Sequence, residues 1–177
     1  MIPEKNCSLC ALCEFRTKIV MPDGNVNSKV VFVGEAPGEN EDLIGRPFVG
    51  RSGKLLEKMM LEEGIKRSDV MITNTVKCRP PGNRDPTKEE MAACRPFLDS
   101  ELSGRSVIVG LGRSACRDLI GYEGKMGEIV NKEMKINING KESVFLPTYH
   151  PAACIYNNDS KAELKRTMNI IRTKYLG

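Results

Sequence analysis

Cysteines and a single histidine give this sequence its most distinctive chemistry. Cys7, Cys10 and Cys13 form a C-x-x-C-x-x-C pattern near the N-terminus, and Cys78 and Cys94 follow much later. In a chain that we expect to be cytosolic, grouped cysteines indicate a metal site or catalysis more than disulfides. Four thiolates suit either zinc or an iron–sulfur cluster, and spacing alone does not separate the two.

The only histidine, His150, precedes Pro151 at the end of a predicted strand. A buried neutral imidazole there can donate one hydrogen bond to developing negative charge. Asn74 also follows a predicted strand, where its amide could read a polar ligand. The alternatives are a structural histidine and an asparagine that only caps a turn.

The stretch "KVVFVGEAPGENED" combines a buried strand with a polar loop. Val30–Val33 is a continuous apolar run, which predicts a strand covered on both faces. The loop after it contains Glu35 between glycines, yet it is neither G-x-G-x-x-G nor a Walker loop. Its chemistry therefore depends on which other side chains reach it.

Strand and helix patterns alternate through most of the chain. The sequence predicts a helix from an N-cap at Ser52 to Gly64, followed by a strand at Val70–Thr73. A capping box of Thr87 and Glu90 then predicts the start of a helix that runs to about Leu102. A strand at 106–112 and a helix at about 114–119 follow.

The last third predicts a hairpin and a final helix. Residues 134–138 alternate in polarity up to Asn139-Gly140, a two-residue turn signal, and Val144–Leu146 returns. Leu164, Met168, Ile171 and Tyr175 then fall on one helical face.

This order of elements predicts an α/β fold. Strands separated by helices imply a three-layer α/β/α sandwich around a central, mostly parallel four-stranded sheet. In such sheets ligands bind at the carboxyl ends of the strands. The loops "GEAPGENED", "TNTVKCRPP" and "PTYHPAAC" all follow strands, so we expect them to converge on one pocket.

Composition sets limits on the class of protein. The chain has 177 residues, a net charge of +4 and no apolar run long enough to span a membrane. We expect one domain over residues 1–177, soluble and cytoplasmic. The small basic excess permits an anionic partner, but from charge alone an ordinary solvated surface is the favoured explanation.

Five segments together resemble a known family. "GEAPGENED", "GRPFVGRSGKLL", "ITNTVKCRPPGNRDP", "ACRPFL" and "YHPAA" are similar to motifs of the family 4 uracil-DNA glycosylases, the iron–sulfur type of bacteria and archaea, in the same order along the chain. The resemblance extends from Cys7 to the last helix. It implies a monofunctional enzyme that flips uracil out of DNA and hydrolyses its N-glycosidic bond in base-excision repair.

The resemblance implies a role for each pocket residue. Phe48 would be the platform under the base, and Asn74 would accept from uracil N3–H and donate to O4. His150 would donate to uracil O2 as negative charge develops. The uracil-binding and catalytic residues implied in this way are Glu35, Ala36, Pro37, Phe48, Asn74 and His150, with His150 and Glu35 catalytic.

Two acidic positions in this loop carry alternatives. The best-known relatives have a water-orienting Asp where this chain has Ala36, so Glu35 or the backbone would have to do that work. Glu41 could crowd the C5 side of the base and exclude thymine, or it could be a solvated loop acid. Phe48 itself could be an ordinary core residue.

The resemblance also implies a [4Fe–4S] cluster held by Cys7, Cys10, Cys78 and Cys94. Cys10 lies six residues before Arg16, as the family's second ligand does, which leaves Cys13 as the extra cysteine. A local exchange of ligands between these cysteines stays open.

Contacts with DNA are predicted from two segments. Lys77, Arg79 and Arg84 could meet phosphates, or be ordinary surface charge. The resemblance implies that the loop after His150 inserts into DNA, which would make Ile155 and Tyr156 the inserting residues. The family's arginine in that loop is missing here.

Several rival functions remain at this point. They are a glycosylase for another deaminated base, a non-catalytic iron–sulfur reader of uracil, and a zinc-stabilised nucleic-acid module. We expect a monomer acting on single- or double-stranded DNA, without a membrane partner. No motif identifies contact with a replication clamp.

Overall fold

The computed structural model describes residues 1–177 as a six-stranded sheet between two layers of helices. The strands are β1 Asp23–Gly24, β2 Val30–Gly34, β3 Met71–Asn74, β4 Val107–Leu111, β5 Met134–Ile138 and β6 Lys141–Thr148. The helices are α1 Glu39–Ile44, α2 Arg51–Glu62, α3 Lys88–Leu102, α4 Arg113–Ile120, α5 Pro151–Cys154 and α6 Asn158–Lys174.

The sheet has the order β1-β3-β2-β4-β6-β5. The four central strands are parallel, which confirms the predicted mostly parallel sheet. The sheet is wider than predicted, because β5 pairs antiparallel with β6 at one edge and the short β1 pairs antiparallel with β3 at the other.

Hydrophobic clusters on both faces of the sheet confirm the three-layer architecture. Val30 and Phe32 of β2 pack with α2 and α6 on one face. Val31 and Val33 pack with α3 and α4 on the other. This alternation explains the continuous apolar run in the sequence, since each strand is covered on both sides.

Helix boundaries agree with local sequence signals except at α2. The capping box of Thr87 and Glu90 begins α3 as predicted. The predicted N-cap at Ser52 is wrong, because α2 begins at Arg51 and its N-cap is Gly50.

The topology places the functional loops together. The chain leaves β2 towards β3 on one side and reaches β4 on the other, which makes β2 the switch point of the sheet. The loops after β2, β3, β4 and β6 all lie on the same side of the molecule, at the carboxyl ends of the parallel strands. No helix is long and apolar enough to cross a membrane.

Candidate active site

The residues predicted for uracil binding line one cleft at the carboxyl ends of the parallel strands. The cleft has a volume of about 250 Å³ and opens to solvent. It is lined by Glu35, Ala36, Pro37, Phe48, Asn74 and His150, together with Glu41 and Arg84. The structure therefore brings the separate loops to one place.

Asn74 is the last residue of β3 and presents its side-chain amide to the cleft. It is 3% exposed, and its Oδ1 has no hydrogen-bond partner. A Cβ on Gly34 would lie 2.5 Å from this oxygen and 2.4 Å from the Phe48 ring. The glycine thus lets the Asn74 amide and the Phe48 ring lie close to the end of β2, and the amide oxygen lacks a donor that a ligand could supply.

Phe48 forms an aromatic wall of the same cleft. Its side chain is buried, and its ring centroid lies 5.6 Å from that of His150 with the planes tilted by 33°. Its backbone has φ 53°, in the left-handed region that residues other than glycine rarely adopt. A flat ring beside an unpaired amide is a suitable surface for a planar heterocycle.

His150 caps the short helix α5 and is neutral at physiological pH. The Ala152 amide donates to His150 Nδ1 at 3.1 Å, so the neutral ring carries its proton on Nε2. Burial lowers the pKa of this imidazole to about 4. The ring therefore offers an Nε2–H donor without a full positive charge.

Glu35 lies between this cleft and a wider groove that also contains Asp85 and Arg117. Ser114 Oγ donates to Glu35 Oε2 at 2.5 Å, and Thr75 Oγ1 donates to the Glu35 carbonyl at 2.6 Å. Burial raises the pKa of the Glu35 carboxyl, and the neighbouring carboxylate of Asp85 raises it further. This position exposes the Glu35 carboxyl to the solvent in the groove.

Glu41 is not a solvated loop acid. Its carboxylate accepts backbone amides from Gly38 at 3.0 Å, Val49 at 2.8 Å and Gly50 at 2.6 Å. These bonds join the loop after β2 to the start of α2, which explains why that helix begins without a side-chain cap from Ser52.

Four cysteines line a second, nearly filled cavity. They are Cys7, Cys10, Cys78 and Cys94, whereas Cys13 does not line it. Arg16 Nη1 lies 3.6 Å from Cys78 Sγ and donates to the Cys7 carbonyl at 2.7 Å. The four thiols predicted to act together are thus brought together from three chain segments.

Burial dominates the electrostatics of these thiols. It raises the pKa of Cys78 to about 11 and also raises that of Cys94. No three His, Cys, Asp or Glu side chains are close enough together to hold a single metal ion.

Comparison with known proteins decides the family. A family model described as the uracil DNA glycosylase superfamily matches residues 21–172. The chain belongs to this superfamily.

Curated members of the superfamily are similar over most of the chain. A type-4 uracil-DNA glycosylase of Thermotoga maritima is 46% identical over 165 residues, covering 92% of this chain and 83% of that protein. Another, of Sulfurisphaera tokodaii, is 44% identical over 177 residues, covering 94% and 79%. A type-5 enzyme of Pyrobaculum aerophilum is 33% identical over 135 residues, covering 63% and 59%. The resemblance stated from the motifs is confirmed.

One predicted DNA contact of this superfamily member is wrong. Lys77 is 1% exposed, and its Nζ donates to Thr73 Oγ1, the Asn74 carbonyl and Glu101 Oε1, each at 2.7 Å. An ammonium buried in an ion pair cannot meet a phosphate at the surface. Lys77 instead ties the end of β3 to α3.

The other predicted contacts lie nearer to solvent. Arg79 donates to Asn83 at 2.7 Å, and both Arg84 terminal nitrogens donate to the Glu90 carboxylate at 2.8 Å. Tyr156 is 84% exposed, with the Arg51 guanidinium 5.1 Å from its ring centroid, and Ile155 beside it is half-buried.

Sequence reasoning about this glycosylase-superfamily chain missed Ser114, Asp85 and Arg67 as neighbours of the cleft residues. Ser114 is the second residue of α4, which follows a Gly-x-Gly pair, and this was a weak signal. Arg67 had no signal, because its contacts are with a loop about twenty residues earlier.

Proposed function

We propose that this protein is a monofunctional uracil-DNA glycosylase that leaves an abasic site in base-excision repair. The single observation that carries the proposal is the buried Asn74 amide, whose Oδ1 has no partner beside the Phe48 ring. Uracil supplies the missing N3–H donor, while thymine adds a methyl group and cytosine has an acceptor at N3.

Base recognition follows from three groups on the wall of the cleft. The flipped uracil stacks on Phe48, and the Asn74 amide pairs with N3–H and O4. Ala36 and Pro37 are small enough to let the loop backbone approach the base. An amide in this orientation leaves buried polar groups unpaired when cytosine enters, which disfavours that base.

Cleavage needs a donor for the departing base and a water for the sugar. The C1′–N1 bond breaks with its electron pair on uracil, and His150 Nε2–H donates to O2, where negative charge collects. Glu35 orients the water that forms the new C1′–O bond. The proton lost by that water passes to solvent or to the uracil anion, so the products are free uracil and a hydroxylated sugar.

The four grouped cysteines support a [4Fe–4S] cluster. Cys7, Cys10, Cys78 and Cys94 line one cavity, and the resemblance to the iron–sulfur glycosylases favours a cluster over a zinc ion. When bound, the cluster links the N-terminal segment to the loop after β3 and to α3. Hydrolysis of the glycosidic bond requires no electron transfer.

DNA contacts are proposed for Arg79, Arg84, Ile155 and Tyr156. The exposed Tyr156 and the neighbouring Ile155 follow the catalytic histidine and fit the space that a flipped base leaves. Because one cleft handles one base, we propose that a monomer is sufficient.

Release of uracil from a labelled single-stranded oligonucleotide containing one dU tests the proposal, with dT and dC oligonucleotides as controls. Strand breaks at dU alone, and only after alkali, are the expected result. Binding without release would favour a non-catalytic reader, and release of a different base would assign another substrate.

A further inference from the structure

The backbone of the platform residue Phe48 is held by a side chain that does not belong to any of the loops that line the cleft. Arg67 lies in the turn before β3, and its side chain is 12% exposed. Its Nη1 donates to the Phe48 carbonyl at 2.9 Å, and its Nη2 donates to the Pro47 carbonyl. Its Nε donates to Asp23 Oδ2 at 2.8 Å.

The Phe48 backbone needs such support. A φ of 53° is unfavourable for a residue with a side chain, so surrounding contacts must maintain it. Arg67 holds the carbonyls of residues 47 and 48, while the Glu41 carboxylate holds the amides of residues 49 and 50. The positively charged Arg67 side chain therefore binds the first half of this loop, and the negatively charged Glu41 side chain binds the second half.

A close backbone approach completes the arrangement. A Cβ on Gly53 would lie 2.1 Å from the Phe48 carbonyl carbon and oxygen. The first turn of α2 thus lies against the peptide that Arg67 binds. The ring is then directed towards the cleft, over Gly34.

We propose that Arg67 is a positioning residue for the Phe48 platform, an inference that rests on the proposed stacking of uracil on Phe48. The guanidinium never touches the base. It acts through its planar set of donors, which meets two successive carbonyls and one carboxylate at once. A lysine ammonium cannot reproduce this geometry.

Arg46 provides a matched control. It donates to the same Asp23 oxygen at 2.8 Å, but its side chain is 55% exposed and makes no hydrogen bond to the loop carbonyls. Replacing Arg46 therefore perturbs Asp23 without releasing Phe48.

The test compares single-turnover uracil release by Arg67→Met, Arg67→Lys, Arg46→Met, Phe48→Leu and the Phe48→Leu/Arg67→Met double variant. Arg67→Met and Arg67→Lys should each lose about ten- to a hundredfold in rate, because the platform is misplaced. Arg46→Met should stay within about twofold of the parent. The double variant should be no slower than Phe48→Leu, since Arg67 acts through that ring.

Two outcomes would overturn the inference: a parental rate in both Arg67 variants, or rate losses that multiply in the double variant. Amide hydrogen exchange of residues 45–51 tests the same contact without activity. It should increase in the Arg67 variants and Asp23→Asn, but not in Arg46→Met. If the parent releases no uracil, the proposed function fails, and exchange still reports whether Arg67 holds the loop.

Discussion

In the proposed mechanism, one side chain, Asn74, sets base selectivity. Its amide oxygen is buried and unpaired, while the Lys77 ammonium fixes its backbone carbonyl at 2.7 Å. The amide therefore projects from a fixed backbone position at a strand end. A group held in this way discriminates by leaving a mismatched partner without hydrogen bonds.

Asn74→Asp should reduce uracil release by two orders of magnitude or more, or shift the preference towards cytosine. The carboxylate can no longer donate to O4, and when ionised it repels that oxygen. Specificity constants on dU and dC oligonucleotides check this, with thermal unfolding to establish that the variant folds. Full activity on dU would show that another group reads the base.

His150 should remain neutral across the physiological pH range. Its pKa is about 4 in the folded chain, against 6.5 for an ordinary imidazole. The unfolded chain therefore takes up this proton first as pH falls, so the contribution of His150 to stability should decrease between about pH 6.5 and pH 4.

NMR of the imidazole carbons measures this directly, since the chain has one histidine. The folded protein should show no titration between pH 8 and pH 5, while the urea-unfolded chain should titrate near pH 6.5. A midpoint between 6 and 7 in the folded protein would contradict the neutral donor.

At the scale of elements, local signals predicted the parts of the fold that local contacts determine. The hairpin at Asn139-Gly140 has both residues at positive φ, and the capping box at Thr87 forms within one turn. The strand β1 was not predictable, because two residues pair with β3 only after the sheet has formed. The start of α2 depends on Glu41, which lies in an earlier helix.

The residues of the candidate site, like the elements of the fold, could be predicted only in part from the sequence. The polar residues at strand ends can be recognised because each directly follows a predicted strand, and the family motifs contain them. The burial of Lys77 does not follow from its neighbours in sequence, because it depends on Glu101 of α3. A lysine between cysteine and valine at a loop start is consistent with either surface charge or a buried pair.

Lys77→Met should destabilise the fold by about 3–5 kcal/mol, because it leaves Glu101 with an unpaired charge at 9% exposure. In a protein of this size the midpoint of thermal unfolding should fall by about 10 °C. Lys77→Met/Glu101→Met should recover much of the loss, since no buried charge remains.

Lys88→Met is the matched control for this measurement. Its partner Glu123 lies 3.8 Å away, and both side chains are well exposed, so the midpoint should barely change. An equal loss in Lys77→Met and Lys88→Met would show that the buried pair does not hold β3 against α3.

At the scale of the whole molecule, the proposed cluster ligands come from parts of the chain that the sheet leaves separate. Cys7 and Cys10 precede every strand, Cys78 follows β3 and Cys94 lies within α3. Cross-linking distant segments removes conformational entropy from the unfolded chain. Ala36 packs against the same hydrophobic cluster as these cysteines, so the proposed cluster site and the base cleft share a wall.

Replacing the proposed ligands should therefore loosen both regions. Cys94→Ser and Cys10→Ser should lose iron, sulfide and brown colour, and hydrogen exchange should increase in residues 1–20 and 76–87. Cys13→Ser is the control that decides the ligand set, because Cys13 does not line the cavity and the variant should keep its iron. Loss of iron from Cys13→Ser but not from Cys10→Ser would exchange the two assignments. A full zinc content without iron in the parent protein would replace the cluster by a mononuclear site.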